Sequence, residues 1–251
     1  RSVASRTRAR FLVGADGLAS TVRRVLGLPF EGETYPETTL VVTTPFPFER
    51  HIEGLSIVSS CWTPESHVAF LKLPGFWRLA LYPDERLPID KLDTAEAVEA
   101  TLQTLVKRPE PYPVLRRWPY RVQQRIVPSY RVGRVALAGD AAHVNSPAGG
   151  MGLNAGIHDA FALAEALVDC VKHGAPLSRL DLYDRRRRPV VAEHILGQAG
   201  RNRDRMREKD PTKRRAILAD LQAIARDRDK HRAFVRRASM IDGLRQAAAV
   251  E

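Results

Sequence analysis

The run RVALAGDAAH at residues 134–143, followed by PAGGMGLNAG at 147–156, constrains this chain more than any other feature. Its apolar stretch from Gly133 to Ala138 predicts a short buried strand. A glycine-rich loop comes next, and Leu153 to His173 predicts a long helix. This order sets the positive N-terminal end of a helix, with its unsatisfied amides, against whatever lies on the loop. Asp140, just past the strand end, can accept hydrogen bonds from a polyol. Gly149, Gly150 and Gly152 let backbone amides approach a planar anionic ring closely.

The same grammar opens the chain. Thr7 to Val13 reads as a strand, Gly14 to Gly17 as a turn, and a short helix follows, capped by Ser20, striped by Val22, Val25 and Leu26 and ended by Gly27. Between these segments, Phe30 to about Pro128 is β-rich and punctuated by proline. The predicted strands are Thr38 to Thr44, Leu55 to Trp62, His67 to Leu73, Phe76 to Tyr82 and Tyr120 to Val127, with a hairpin at Pro74-Gly75. One helix, Ala95 to Val106, interrupts them after Thr94. Three further helices, broken near Pro189 and Pro211, are expected to finish the chain. The reading is an α/β fold in four segments: 1–29 and 129–175 as two parts of one discontinuous domain, 30–128 as a β-rich insert, and 176–251 as a helical C-terminal region.

Composition removes several classes. With 251 residues and 44% apolar content the chain can build a real core. No apolar run approaches the roughly 18 residues needed to span a bilayer. Cys61 and Cys170 are far apart and suggest neither a disulfide framework nor a metal cage, so no metal site is expected and a reduced, cytoplasmic setting fits. The formal charge of +11 raises nucleic acid as a partner. The excess, however, sits in Arg185–Arg188 and between Arg201 and Arg237, where acids alternate with it. That pattern reads as solvated helix faces with i,i+4 pairs, and no nucleic acid is expected.

Taken alone, a G-x-G before a helix is a tight turn. The whole of residues 139–154, by contrast, resembles the GD motif of the class A flavoprotein monooxygenases, the para-hydroxybenzoate hydroxylase family. A second segment, DGLASTVR at 16–23, resembles the family's DG motif, and YDRRRRP at 183–189 resembles the segment after its flavin helix. The resemblance is tight at residues 8–28 and 129–190 and loose elsewhere. It implies an FAD-binding, glutathione reductase-like fold with a β-rich substrate domain. It also implies FAD held by Asp16, Arg23, Gly139, Asp140, Pro147, Gly149, Gly150, Met151, Gly152, Leu153 and Asn154, with Asp16 and Arg23 also implicated in NADPH binding. Pro147 is the implied active-site residue, through a carbonyl near the flavin C4a position.

The implied activity is NAD(P)H-dependent hydroxylation of a phenolic ring by O2 through a flavin C4a-hydroperoxide. Epoxidase, reductase or halogenase chemistry on the same fold is the alternative, as is a non-catalytic basic interaction module. The implied partners are a small aromatic substrate and O2, with no integral membrane segment and a homodimer left open. His143 reads as a packed group rather than an acid or base, and Trp62, Trp77 and Trp118 as buried sheet residues before pocket walls. The family's opening strand, G-x-G-x-x-G and helix, which hold the ADP half of FAD, are not found in the chain. The expectation is that this N-terminal part is missing and that the chain as it stands does not hold FAD tightly alone.

Overall fold

The computed structural model describes residues 6–63, 67–82 and 89–251. Residues 1–5, 64–66 and 83–88, which fall within the first two expected segments, lie outside the described residues. The chain opens with β1 (Leu12–Gly14), α1 (Thr21–Val25) and β2 (Glu31–Thr44). Then come β3 (Val58–Trp62), β4 (His67–Leu73), β5 (Phe76–Leu81), α2 (Ile89–Leu92) and α3 (Ala95–Leu105). The second half begins with β6 (Arg116–Ile126), β7 (Arg131–Val132), β8 (Val135–Leu137), β9 (His143–Val144) and α4 (Gly152–Lys172). It closes with α5 (Ser178–Val190), α6 (Gly197–Arg207), α7 (Pro211–Arg226), α8 (Arg228–Ala238) and α9 (Ile241–Ala248). No described helix is long and apolar enough to cross a membrane.

The chain divides into two compact units. One comprises the residues up to Glu33 with Gln123–Arg203 and Asp220–Glu251; the other comprises Thr34–Val122 and Asp204–Ala219. In the first unit β1 runs parallel to β8, Leu12 opposite Val135 and Gly14 opposite Leu137, and β7 closes the small sheet antiparallel. The end of β6 pairs with β9, setting Ile126 opposite His143. Leu137, Leu163, Ala166, Cys170, Leu180 and Tyr183 form the core over which α4 and α5 pack. Buried positions of α4 recur at Ala155, Asp159, Leu163, Ala166 and Cys170, the spacing of one helical face.

The second unit is an antiparallel sheet in the order β3-β4-β5-β2-β6. Alternation along its strands sends Leu40 and Val42, Val68 and Phe70, and Leu79 and Leu81 into one core, where Val98 and Leu102 of α3 meet them. Thr94 caps α3, its hydroxyl accepting from the Ala97 amide at 3.1 Å. The hairpin at Pro74-Gly75 is a two-residue turn between Leu73 and Phe76. Trp77 is buried in this core, whereas Trp62 is half-buried and donates to the Met206 carbonyl at 2.8 Å. Trp118 is half-buried beneath the Arg78 guanidinium.

Two expectations need correction. The C-terminal region holds five helices rather than three, and Pro189 does not break the chain there. It lies inside α5, and the helix passes through a wide π turn at Val191–Leu196 straight into α6. Proline removes one i→i−4 bond, and the burial of Val190, Val191 and Ile195 carries the helix past that loss. Nor do all of Arg185–Arg188 lie on a solvated face, since of the four only Arg185 is exposed. Arg185 and Arg186 donate to the carbonyls of Glu251 and Val250, Arg188 to that of Val127, and Arg187 is buried.

A pH dependence of stability follows from His67. Its ring is buried and stacked on Tyr82 at 3.9 Å. Burial, with the Arg207 and Arg214 cations, lowers its pKa from 6.5 to about 4. The folded state therefore binds its proton more weakly than the unfolded chain. The stability is whole above the unfolded value and falls as pH drops from about 6.5 towards 4, by on the order of 3 kcal/mol. Urea unfolding at pH 7 and pH 4.5 should show this loss, and His67→Gln should flatten it. An equal acid slope in that variant would assign the effect to carboxylates.

Candidate functional site

At the end of β8 the chain turns through Gly139–Ala141, and the Asp140 carboxylate stands exposed, taking no hydrogen bond among the described residues. The turn packs onto α4 through two glycines, since a Cβ on Gly156 would lie 3.2 Å from the Gly139 Cα. Backbone thus meets backbone at the point where the aspartate is presented.

The loop that follows ends in α4. The Gly150 amide donates to the Pro147 carbonyl at 3.0 Å, closing a turn in which Gly149 and Gly150 take φ of 105° and 67°. Both angles are glycine territory. Asn202 of α6 braces the turn, its amide donating to the Ala148 carbonyl at 3.3 Å. Gly152 begins α4 without a positive φ, and its close neighbour is Asn145, whose Oδ1 would lie 2.7 Å from an added Cβ. Met151 is buried, Pro147 and Leu153 are exposed, and the Asn154 side chain donates to the Gly150 carbonyl at 3.2 Å.

No side chain caps α4. Its first-turn amides are therefore available to an anionic group, and the macrodipole of a helix of 21 residues favours negative charge there. A cavity of about 320 Å3 lies beside the loop, walled by Gly149–Met151, Asn154 and His158 and by the Ala238–Met240 turn between α8 and α9. The exposed carboxylate suits a polyol, and the uncapped amides beside the cavity suit an anionic ring edge.

The DG segment has a different character. Asp16 accepts from the Ser20 hydroxyl at 2.5 Å and from the amides of Thr21 and Val22 at 2.7 and 3.2 Å. The Ser20 hydrogen bond above all, with these amides, holds its carboxyl below the ordinary value despite some burial cost. Arg23 is buried over the Phe30 ring, donating to the carbonyls of Leu18 at 2.6 Å and Ala141 at 2.9 Å. Its guanidinium therefore ties the DG segment to the residue after Asp140.

Beneath the turn lies a charged cluster that sequence reasoning left without a role. Asp159, with no exposed surface, accepts from His143 Nε2 at 2.6 Å, Arg187 Nε at 2.8 Å and the Gly139 amide at 3.2 Å. His143 is 1% exposed and stacked near Tyr130, and so is the packed group its sequence context predicted. Burial pushes the Asp159 carboxyl upward, but His143 and Arg187 more than reverse it, and the net direction is down. One signal was available: a charge on the otherwise apolar inner face of α4.

The FAD binding domain family matches residues 1–197. The chain is 37% identical over 250 residues to the para-nitrophenol 4-monooxygenase of Pseudomonas sp. (strain WBC-3), covering 96% of this chain and 60% of that protein. The crystal structure of p-nitrophenol 4-monooxygenase from Pseudomonas putida DLL-E4 superposes with a TM-score of 0.83 at 32% identity, over 93% of this chain and 59% of that one. A ternary complex of aklavinone-11 hydroxylase with FAD and aklavinone gives 0.70 at 28% identity, over 78% of this chain and 38% of that one. The chain thus spans about 60% or less of these relatives. With residues 1–197 matched, this chain belongs to the FAD binding domain family, and the relatives it is similar to are named as monooxygenases.

Proposed function

We propose that the protein carrying this chain hydroxylates a phenolic ring with FAD, NAD(P)H and O2. The observation that supports this best is the uncapped start of α4, which opens with the Gly149–Met151 loop onto the cavity. In the balanced reaction one oxygen atom enters a ring C–H bond and the other leaves as water. NAD(P)H and one proton supply the reducing equivalents. FAD, when bound, supplies the redox chemistry that links the two halves.

The chain's own residues bind and orient. Asp140 accepts hydroxyl donors of the ribityl chain, and the amides at the start of α4 stabilise negative charge at the ring edge, an electrostatic effect that grows as water is excluded. Asp16 and Arg23 act one step back, Asp16 by organising the start of α1 and Arg23 by fixing the Ala141 carbonyl. The β-rich segment 30–128 selects the aromatic ring; phenols are the substrates named for the para-nitrophenol and pentachlorophenol 4-monooxygenases to which the chain is similar.

A visible absorption spectrum with flavin bands, and incorporation of one labelled atom from O2 into a phenol, would support this reading. A flavin spectrum with NAD(P)H oxidation but unlabelled product would leave a reductase instead. Asp140→Ala should weaken FAD binding tenfold to a hundredfold, the loss of charge-assisted bonds of about 1.5–3 kcal/mol. Its Tm should not move, since the side chain is exposed. Flavin retained on dialysis as well as in the wild type would remove Asp140 from the site.

A further inference from the structure

Asp159 presents a physical puzzle. A carboxylate with no exposed surface is costly, and here a buried arginine and a buried histidine answer it. Such a cluster is a poor source of stability, because apolar residues of similar volume often stabilise as well or better. Its strongest contacts do not even satisfy its own members: His143 Nδ1 and Arg187 Nη1 have no hydrogen-bond partner among the described residues. What the cluster does supply is direction. Of the three donors meeting Asp159, two are side chains and the third is the Gly139 amide, immediately before Asp140. Gly139 has φ of 59° and is in contact with Gly156, one helical turn before Asp159.

We infer that Asp159 is a positioning residue for the cofactor site. Anchored by His143 and Arg187, it holds the Gly139 amide so that the turn offers the Asp140 carboxylate at a fixed angle to the polyol. The inference rests on the flavin reading above. Asp159 does not itself touch the cofactor; the oxygen it offers to the Gly139 amide is what matters, and Arg187 serves as the counter-charge that lets that acceptor sit there. Two charge-neutral pairs separate these parts. Asp159→Asn with Arg187→Met keeps an oxygen facing the Gly139 amide, whereas Asp159→Leu with Arg187→Met does not.

The test compares FAD dissociation constants, the flavin absorption envelope and amide hydrogen exchange over residues 135–145 in the two double variants and the wild type. The Asn pair should bind FAD within about threefold of wild type with slow exchange at Gly139. The Leu pair should bind at least tenfold more weakly, with a shifted envelope and faster exchange there, at similar Tm. Equal FAD affinity and equal exchange in two folded pairs would overturn the inference, as would an Asn pair that folds but loses FAD. If the Leu pair fails to fold, the Asn pair alone decides, since retained affinity without either charge supports the acceptor role. The measurements use the whole protein that carries this chain, and a wild type of that protein that takes up no FAD sinks the flavin reading instead. The exchange comparison without cofactor then still reports whether Asp159 holds the turn.

Discussion

Gly149→Val is expected to lower FAD affinity about a hundredfold, while Met151→Leu leaves it nearly unchanged. Gly149 adopts φ of 105°, where a β-branched residue is strained by about 1–3 kcal/mol. An added Cβ would also fall 2.6 Å from Asn202 Nδ2, displacing the amide that braces the Ala148 carbonyl and forfeiting about 1 kcal/mol more. Together these amount to about 2–4 kcal/mol levied on the loop facing the cofactor, which is one and a half to three orders of magnitude in binding. Met151 is buried among Ala155, Ile195 and Met240, and a leucine there conserves volume. Gly152→Ala should fall between the two, because a shift of the Asn145 side chain can make room and no unusual φ is required. Flavin titration of the three variants checks the order; equal affinities in the Val and Leu variants would show that the loop does not contact the cofactor.

Gly32→Ala should be the most damaging single methyl in the fold. A Cβ at this position would lie 2.1 Å from the Gln124 carbonyl oxygen and 2.9 Å from the Arg125 Cα, and φ is 129°. Both obstacles are backbone of β6, so no rotamer change relieves them, and β2 must separate from its neighbour. The expected loss exceeds about 4 kcal/mol, or roughly 10 °C in Tm for a chain of this size. Gly54→Ala is the matched control. It too has a left-handed backbone, φ 73°, but open space around it, and strain alone should cost it about 1 kcal/mol. Thermal melts of the pair test this. Similar melting temperatures would mean that β2 and β6 tolerate local separation.

The elements were legible where local chemistry alone decides them. Ser20 and Thr94 cap helices as their positions before apolar stripes require, and Pro74-Gly75 turns a hairpin. Short β-rich runs punctuated by proline marked the strands of the β-rich unit, though β2 runs seven residues earlier than its apolar part, from Glu31 rather than Thr38. The Gly139–Asn154 loop was legible because glycine spacing reports backbone geometry directly. Arg187 was not legible. In a run of four arginines nothing local marks the one that faces inward, because its place is set by the phase of α5 against a carboxylate 28 residues earlier. Pro189 misled for a related reason: helix interruption is a local rule, and packing of Val190, Val191 and Ile195 into the core overrides it.

The π turn between α5 and α6 fixes an angular phase. A π turn takes about one residue more than an α turn, and each residue of an α-helix advances the chain by about 100°, so closing the wide turn with all of its residues kept would swing the start of α6 by about that much. Asn202 lies just five residues beyond Gly197, too near for the helix to unwind and correct the error. The swing would carry its amide away from the Ala148 carbonyl and leave the Gly149 turn without its brace. The wide turn is accordingly tied to the loop it supports, and a substitution that closes it at constant length is geometrically equivalent to a mutation in the glycine loop itself.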